Sequence, residues 1–368
     1  MAGFVVGVPC LPRHSRWIPK HWESAFFLKG TFPLPEEMVR FFPVAPLLRR
    51  MGRALLPSPR AFELEYLGYW IFDALIARSL SQWEANTVIA YENGARDIFR
   101  AAKRLGWKTI LDAPSFHHQA QKRLCEPAEK ASLFQKICRR KDEEIQLADL
   151  VLTCSEVARE TYLEAGVPKE KVQSVPLGAD LKVFYPDETS HSLDAPFNFL
   201  YVGTLSRHKG VDLLLQAFQE VRNNLPNCKL RLVGGAGTWL DPKGHALPKG
   251  VEWQPPLAQA QLAEEYRKAD CLVLPSRFDS FGMVVAEALA CGLPVLVSSM
   301  TGAKDLIQEG ENGWEFPSGD EKALRTRMLW CVLNRTALRA MRPKARASAL
   351  RASWEGYHGR FLEALGEC

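Results

Sequence analysis

The sequence is poor in several things, and each shortage excludes a class of function. No apolar run approaches the roughly eighteen residues that a membrane-spanning helix needs. The nine cysteines are scattered with no CxxC pair, and an odd number in that pattern argues against a disulfide framework and a zinc site alike. A reducing, cytoplasmic setting follows. The opening MAGFVVGVP is apolar but has no basic residues ahead of it, so it reads as a first β-strand and not as a signal peptide. Short-period repeats and low-complexity tracts are lacking. So is the GxGxxG spacing of a dinucleotide-binding turn, which disfavours an NAD-dependent dehydrogenase.

What remains has the balance of a soluble globular protein, 47% hydrophobic and 24% charged, and 368 residues suit two domains better than one core. The net charge of +5 hides an asymmetry. Residues 1–60 carry nine Lys and Arg against three acids, residues 321–368 carry ten against four, and the middle is left near −7. Basic ends with the aromatic stretches RHSRWIPKHWESAFFLKG and VRFFPVAPLLRRMGRALL fit a peripheral contact with an anionic membrane. They fit equally a solvated surface with an irregular loop. Nucleic acid is disfavoured, because no binding motif accompanies the charge.

Short apolar runs alternate with longer helical patterns, the signature of βαβ units around parallel sheets. In the first half the strand candidates are 4–8, 87–91, 108–113, 149–154 and 171–178, with helices at 95–106 and 155–166. Ser155 is the expected N-cap of the latter and Gly166 its C′ residue. A polar, proline-bearing stretch at 184–198 reads as a linker, after which the pattern restarts with strands at 197–203, 229–235, 251–254, 271–276 and 294–299. Val211, Leu214, Leu215, Phe218 and Val221 form the apolar stripe of a helix over 211–225. Two Rossmann-like halves are the expected architecture, with ligands held outside the carboxyl ends of the strands.

Three strand exits in the second half carry the chemistry. In VGTLSRHKGVDLL, Arg207, His208 and Lys209 stand just ahead of a helix. A lysine there opposes the helix dipole unless an anion such as a phosphate lies among these cations and the free amides; the alternative is a solvated lysine. In RLVGGAG, Gly234, Gly235 and Gly237 either let backbone approach a ligand or make a tight turn. In PSRFDSFGMVVAEALACGLPV, Asp279 and Glu287 stand eight positions apart around a helix start near Phe281–Gly282. Helical side chains lean towards the N-terminus, so Glu287 is expected to reach back to the loop of Asp279. Carboxylates beside phosphate-seeking amides suit neutral hydroxyls, such as the vicinal diols of a ribose or a hexose. Phosphate and two sugars together describe a nucleotide-sugar. A fourth exit, SSMTGAKDLI, supplies Thr301, Gly302 and a following helix.

PSRFDSFGMVVAEALACGLPV is similar to the signature of glycosyltransferase family 4, the group 1 glycosyltransferases of GT-B fold. VGTLSRHKGVDLLLQAF, LADLVLTCS, VPLGADLKVFYP and ENGWEF match that family in order, and the resemblance covers roughly 145–320. It implies an α/β protein with two Rossmann-like domains facing each other across a cleft: 1–187 on the acceptor side, 188–350 binding the nucleotide-sugar, and a helix at 351–368 returning to the first domain. It implies retaining transfer of a sugar from a UDP- or GDP-linked donor to a glycan, lipid-linked or small-molecule acceptor, with no metal or other cofactor required. Carried over residue by residue, Lys209 and Arg207 face the diphosphate, Asp279 the donor sugar and Glu287 the ribose hydroxyls. The donor set also takes in Ser280, Phe281, Gly282, Gly203, Thr204, Gly234 and Gly235. His117 and His118, just past a strand end in ILDAPSFHHQ, stand where the family often has a histidine, and serve either the sugar or the acceptor. Three departures bear on this reading. Asp279 replaces the first glutamate of the signature, Thr204 replaces a frequent arginine, and GVPCLPRHSRW replaces the family's glycine pair in the first loop. An inactive nucleotide-binding scaffold and a sugar-nucleotide epimerase of the same architecture are the alternatives.

Overall fold

A computed structural model of the chain describes residues 4–6, 39–41, 44–124, 131–187, 194–237, 240–242, 244 and 246–366. The stretch RHSRWIPKHWESAFFLKG and the middle of the expected linker, 188–193, lie outside the described residues. Contacts divide the chain into two units, Met1–Ala113 with Glu126–Leu152, and Pro114–Cys125 with Thr153–Cys368.

In the first unit β1 (Phe4–Val6) and β2 (Val39–Phe41) pair in parallel. β3 (Thr87–Tyr91), β4 (Lys108–Asp112) and β5 (Leu150–Thr153) make a parallel ladder in that order. β5 is buried along its whole length, as expected of a strand covered on both faces. The stretch read as an irregular loop is instead a helix, Val44–Leu55, followed by a second, Ser58–Ser79, with proline in the first turn, where its missing N–H costs nothing.

The helix Arg96–Arg104 has Ala95 at its N-cap, which offers no side-chain acceptor. Buried carboxylates from elsewhere take that role. Asp73 accepts from the N–H groups of Asp97 and Ile98 at 2.9 and 2.8 Å, and Glu144 from those of Asn93 and Ala95 at 2.8 and 3.1 Å. Arg140, from the helix Ala131–Leu147, pairs with both acids.

In the second unit Ser155 accepts from the Ala158 N–H and caps the helix Glu156–Glu164, as expected. β6 (Val172–Ser174) is shorter than the expected 171–178, because Pro176 has no N–H to continue a ladder. The main sheet is parallel and six-stranded. It contains β7 (Phe197–Val202), β8 (Cys228–Val233), β9 (Val251–Gln254), β10 (Cys271–Leu274), β11 (Val295–Ser298) and β12 (Gly313–Phe316), in the order β12-β11-β10-β7-β8-β9. The helix Val211–Asn224 buries the expected stripe of Val211, Leu214, Leu215, Phe218 and Val221 against this sheet's core. The expected helix after Thr301 is a short 3₁₀ turn, Gly302–Leu306. The chain order reverses between β7 and β10, which makes their carboxyl ends a topological switch point, the place where such sheets bind ligands. Among the described residues no helix is long and apolar enough to cross a membrane.

Candidate functional site

The exits of β7 and β8 are bound to each other. Gly203 donates to the Val233 carbonyl at 2.9 Å, and Leu205 to that of Gly235 at 3.0 Å. Gly234 donates to Gln254 O, and its own carbonyl accepts from the Trp253 indole at 2.9 Å. A Cβ on Gly234, whose φ is +149°, would stand 1.9 Å from the Gly203 carbonyl oxygen. The room that this glycine provides is therefore taken up by the neighbouring chain. Thr204 is exposed, and its carbonyl accepts from the Tyr201 hydroxyl at 2.8 Å.

The loop Ser206–Gly210 is tied to the exit of β10. Gly210 has φ +71°, and a Cβ there would stand 1.9 Å from the Pro275 carbonyl oxygen. Arg277 donates its backbone N–H to His208 O at 3.0 Å and its guanidinium to the Arg207 carbonyl. The same guanidinium forks onto Asp212, in the first turn of Val211–Asn224, with both bonds at 2.8 Å. Lys209 is thereby brought to Asp279: its ammonium lies 2.6 Å from Oδ2, and the two side chains are 26% and 16% exposed. Arg207 is exposed. His208 is not the third cation that the sequence suggested. Burial, and then the Lys209 charge, push its pKa down, and its ring stands edge-on to Phe278 at 3.9 Å.

The Asp279 loop is fixed at several points. Its N–H donates to Met300 O at 2.8 Å, its carbonyl accepts from Gly302 at 2.9 Å, and the Phe281 carbonyl accepts from Ala303 at 2.6 Å. The Ser155 hydroxyl donates to Ser280 O at 2.6 Å, so this N-cap residue also holds the loop. Gly282 caps the helix Met283–Ala290, its carbonyl accepting from the Val285 N–H at 2.9 Å, while the Met283 and Val284 amides have no partners within the helix. Five of its eight residues are buried. The Glu287 Oε2 accepts from the hydroxyl of Tyr266, on the neighbouring helix Gln259–Lys268, at 2.8 Å, a partner that the sequence did not point to. Burial raises the pKa of this carboxyl and the tyrosine bond opposes the rise.

His117 and His118 are buried side by side, 3% and 6% exposed, with ring centroids 4.1 Å apart. The His117 N–H donates to the Thr161 hydroxyl at 2.9 Å, and its Nδ1 accepts from the Gln119 N–H at 3.3 Å. Their segment meets the Asp279 loop through Phe116 and Phe278, whose rings are 5.8 Å apart. Arg277, Asp212, Tyr266 and Phe278 were not singled out from the sequence. Arg277 and Phe278 lie inside the quoted motif and were open to notice there; Tyr266, five residues before β10, carried no local signal.

Residues 188–348 match the model of the family described as Glycosyl transferases group 1. Among curated proteins, the D-inositol 3-phosphate glycosyltransferase of Segniliparus rotundus is 31% identical over 227 residues, 56% of this chain and 51% of that protein. That of Frankia alni is 35% identical over 164 residues, 39% of this chain and 40% of that protein. The chain spans about half the length of the curated relatives it matches. Among solved structures, sucrose-phosphate synthase from Thermosynechococcus elongatus superposes with a TM-score of 0.67 at 22% identity, covering 84% of this chain and 80% of that one. Anabaena Alr3699/HepE in complex with UDP-glucose does so with 0.63 at 18% identity, covering 80% and 82%. The α/β fold with two parallel sheets is that of these GT-B structures. Over residues 188–348, the chain is similar to the group 1 glycosyl transferases.

Proposed function

We propose that the protein is a retaining glycosyltransferase that moves a sugar from a UDP- or GDP-linked donor to a glycan, lipid-linked or small-molecule acceptor. The observation that carries this reading is the Lys209–Asp279 pair at the switch point between β7 and β10, inside the matched segment. An ammonium has three donors. One is used on Asp279 and two remain for diphosphate oxygens, beside Arg207 and the first-turn amides that follow Gly282. In that position the cations stabilise charge developing on the leaving diphosphate, the kind of electrostatic contribution that usually dominates. Asp279 keeps an oxygen for a donor-sugar hydroxyl, and Glu287 one for the ribose. Gly203, Thr204, Gly234, Gly235, Ser280 and Phe281 border the donor, and His117 and His118 serve its sugar or the acceptor. No side chain is assigned as a nucleophile. The UDP-glucose of the HepE neighbour supports a nucleotide-sugar as co-substrate.

In this reading 188–350 holds the donor, 1–187 receives the acceptor, and 351–368 couples the two. The setting is cytoplasmic, with the basic ends touching an anionic membrane; Met51 and Leu55 stand exposed in a helix that also carries Arg49, Arg50 and Arg53. Sedimentation with anionic vesicles is expected to show binding that high salt abolishes, and none at low salt removes the membrane contact.

A thermal-shift panel of UDP, GDP and their sugars tests the central reading. A ligand at 100 times its dissociation constant adds about 2.7 kcal/mol, so one nucleotide series is expected to raise the melting temperature by several degrees. The donor that does so is then followed for release of nucleoside diphosphate and for the anomeric configuration of the product. No shift with any of them overturns the proposal. Binding without turnover favours the scaffold instead.

A further inference from the structure

Glu287 is a half-buried acid in an otherwise apolar helix, and what fixes its carboxylate is a residue that the donor site does not otherwise include. Tyr266 is fully buried in the core of the second unit, its ring edge-on to Phe184 at 5.9 Å. Burial holds its phenol well above the ordinary tyrosine range, so at neutral pH the hydroxyl is always a donor. It donates to Oε2 at 2.8 Å. A carboxylate held by one donor presents its other lone pairs in a fixed direction, whereas a free one rotates about its last torsion, which is broad and roughly two-fold.

We propose that Tyr266 is a positioning residue for nucleotide recognition: its hydroxyl orients the Glu287 carboxylate so that it accepts from ribose hydroxyls, and discrimination between ribo- and 2′-deoxyribonucleoside diphosphates depends on it. The inference rests on the assignment of Glu287 to the ribose. A purely structural tyrosine would affect folding, or all ligands equally. A positioning tyrosine affects the ratio between two ligands that differ only in the hydroxyl that Glu287 reads.

The test is calorimetric titration of the parent, Tyr266→Phe, Glu287→Gln and the double variant with UDP and 2′-deoxy-UDP, and with GDP and 2′-deoxy-GDP. Phenylalanine keeps the ring and its packing and removes only the donor. Hydrogen bonds to charged groups set the scale, so Tyr266→Phe is expected to lower the ribo/deoxy affinity ratio roughly ten-fold. Glu287→Gln is expected to lower it at least as far, and the double variant no further. 4-Aminophenylalanine at position 266 retains a donor at the same place and is expected to restore the ratio. It also serves as the informative variant if phenylalanine prevents folding, since loss of the ratio with the donor present contradicts the inference. An unchanged ratio in Tyr266→Phe, with a collapsed ratio in Glu287→Gln, overturns the role of Tyr266 and leaves the ribose assignment standing. An unchanged ratio in Glu287→Gln overturns both.

Discussion

Replacing Lys209 by alanine separates two effects of very different size. The ammonium lies 2.6 Å from Asp279, but the pair is partly exposed, 26% and 16%, so solvent screens it. Its contribution to folding is about 1 kcal/mol, which moves the melting temperature of a chain this long by only a few degrees. Its contribution to turnover is larger, because a charged donor aimed at a leaving group acts where charge develops. Removal of one such donor typically costs about 100- to 1,000-fold in rate, roughly 3–4 kcal/mol of barrier. Lys209→Met keeps most of the stem and loses the charge, and is expected to match alanine. The assay is release of nucleoside diphosphate at saturating donor, with the melting temperature taken on the same samples. Turnover within three-fold of the parent refutes the diphosphate role. A loss accompanied by a melting temperature lowered by more than about 10 °C refutes the partition, since the substitution would then be acting through the fold.

Two further expectations concern the scaffold. Gly210 and Gly310 have nearly the same φ, +71° and +74°, but a Cβ meets the Pro275 oxygen at 1.9 Å in the first and nothing within 4 Å in the second. Alanine at Gly310 should cost about 1–2 kcal/mol for the left-handed backbone alone and alanine at Gly210 about 2 kcal/mol more. Equal denaturant midpoints would show that the close approach does not matter. In the first unit, burial pushes the Glu144 carboxyl up to about 7 from 4.5, against the Ala95 and Asn93 N–H bonds and Arg140. A carboxyl raised in the folded state stabilises it fully below the unfolded value, and this stability is lost as pH rises through the folded one. Stability should therefore fall by up to about 3 kcal/mol between pH 4.5 and 7, and Glu144→Gln should flatten that slope; an identical urea-midpoint profile in both proteins contradicts it.

The elements that local pattern defines were legible in the sequence. The strands at 87–91 and 251–254 fell where expected, as did the stripe on 211–224 and the Ser155 cap, because each is decided by residues within one turn or one apolar run. The helices Val44–Leu55 and Ser58–Ser79 were missed, since prolines and arginines crowd the joint between them and one of those prolines opens a helix instead of breaking one. The carboxylate caps on Arg96–Arg104 come from 24 and 49 residues away, where no local reading looks. Tyr266 was hidden for the same reason. Its hydroxyl meets Glu287 across 21 residues, and its place in a helix of ordinary pattern marks it only as core.

Lys209 and Asp279 were each legible as a strand-exit residue, but their pairing was not, because it depends on β10 lying next to β7 in a sheet whose order reverses there. That adjacency changes the meaning of the aspartate. A glutamate at 279 would be longer by one C–C bond, roughly 1.5 Å, and would require either the lysine or the loop to withdraw. The loop has little freedom to do so: Met300 and Gly302 bind the Asp279 backbone on both sides, Ser155 holds Ser280, and Ala303 holds Phe281. The lysine is anchored too, since Arg277 fastens the carbonyls of Arg207 and His208 and forks onto Asp212. With both backbones held by these bonds, a longer carboxylate at 279 has to be accommodated by refolding the flexible lysine stem. The departure from the family's glutamate thus belongs to the Lys209–Asp279 pair as a unit and to the backbone that spaces it.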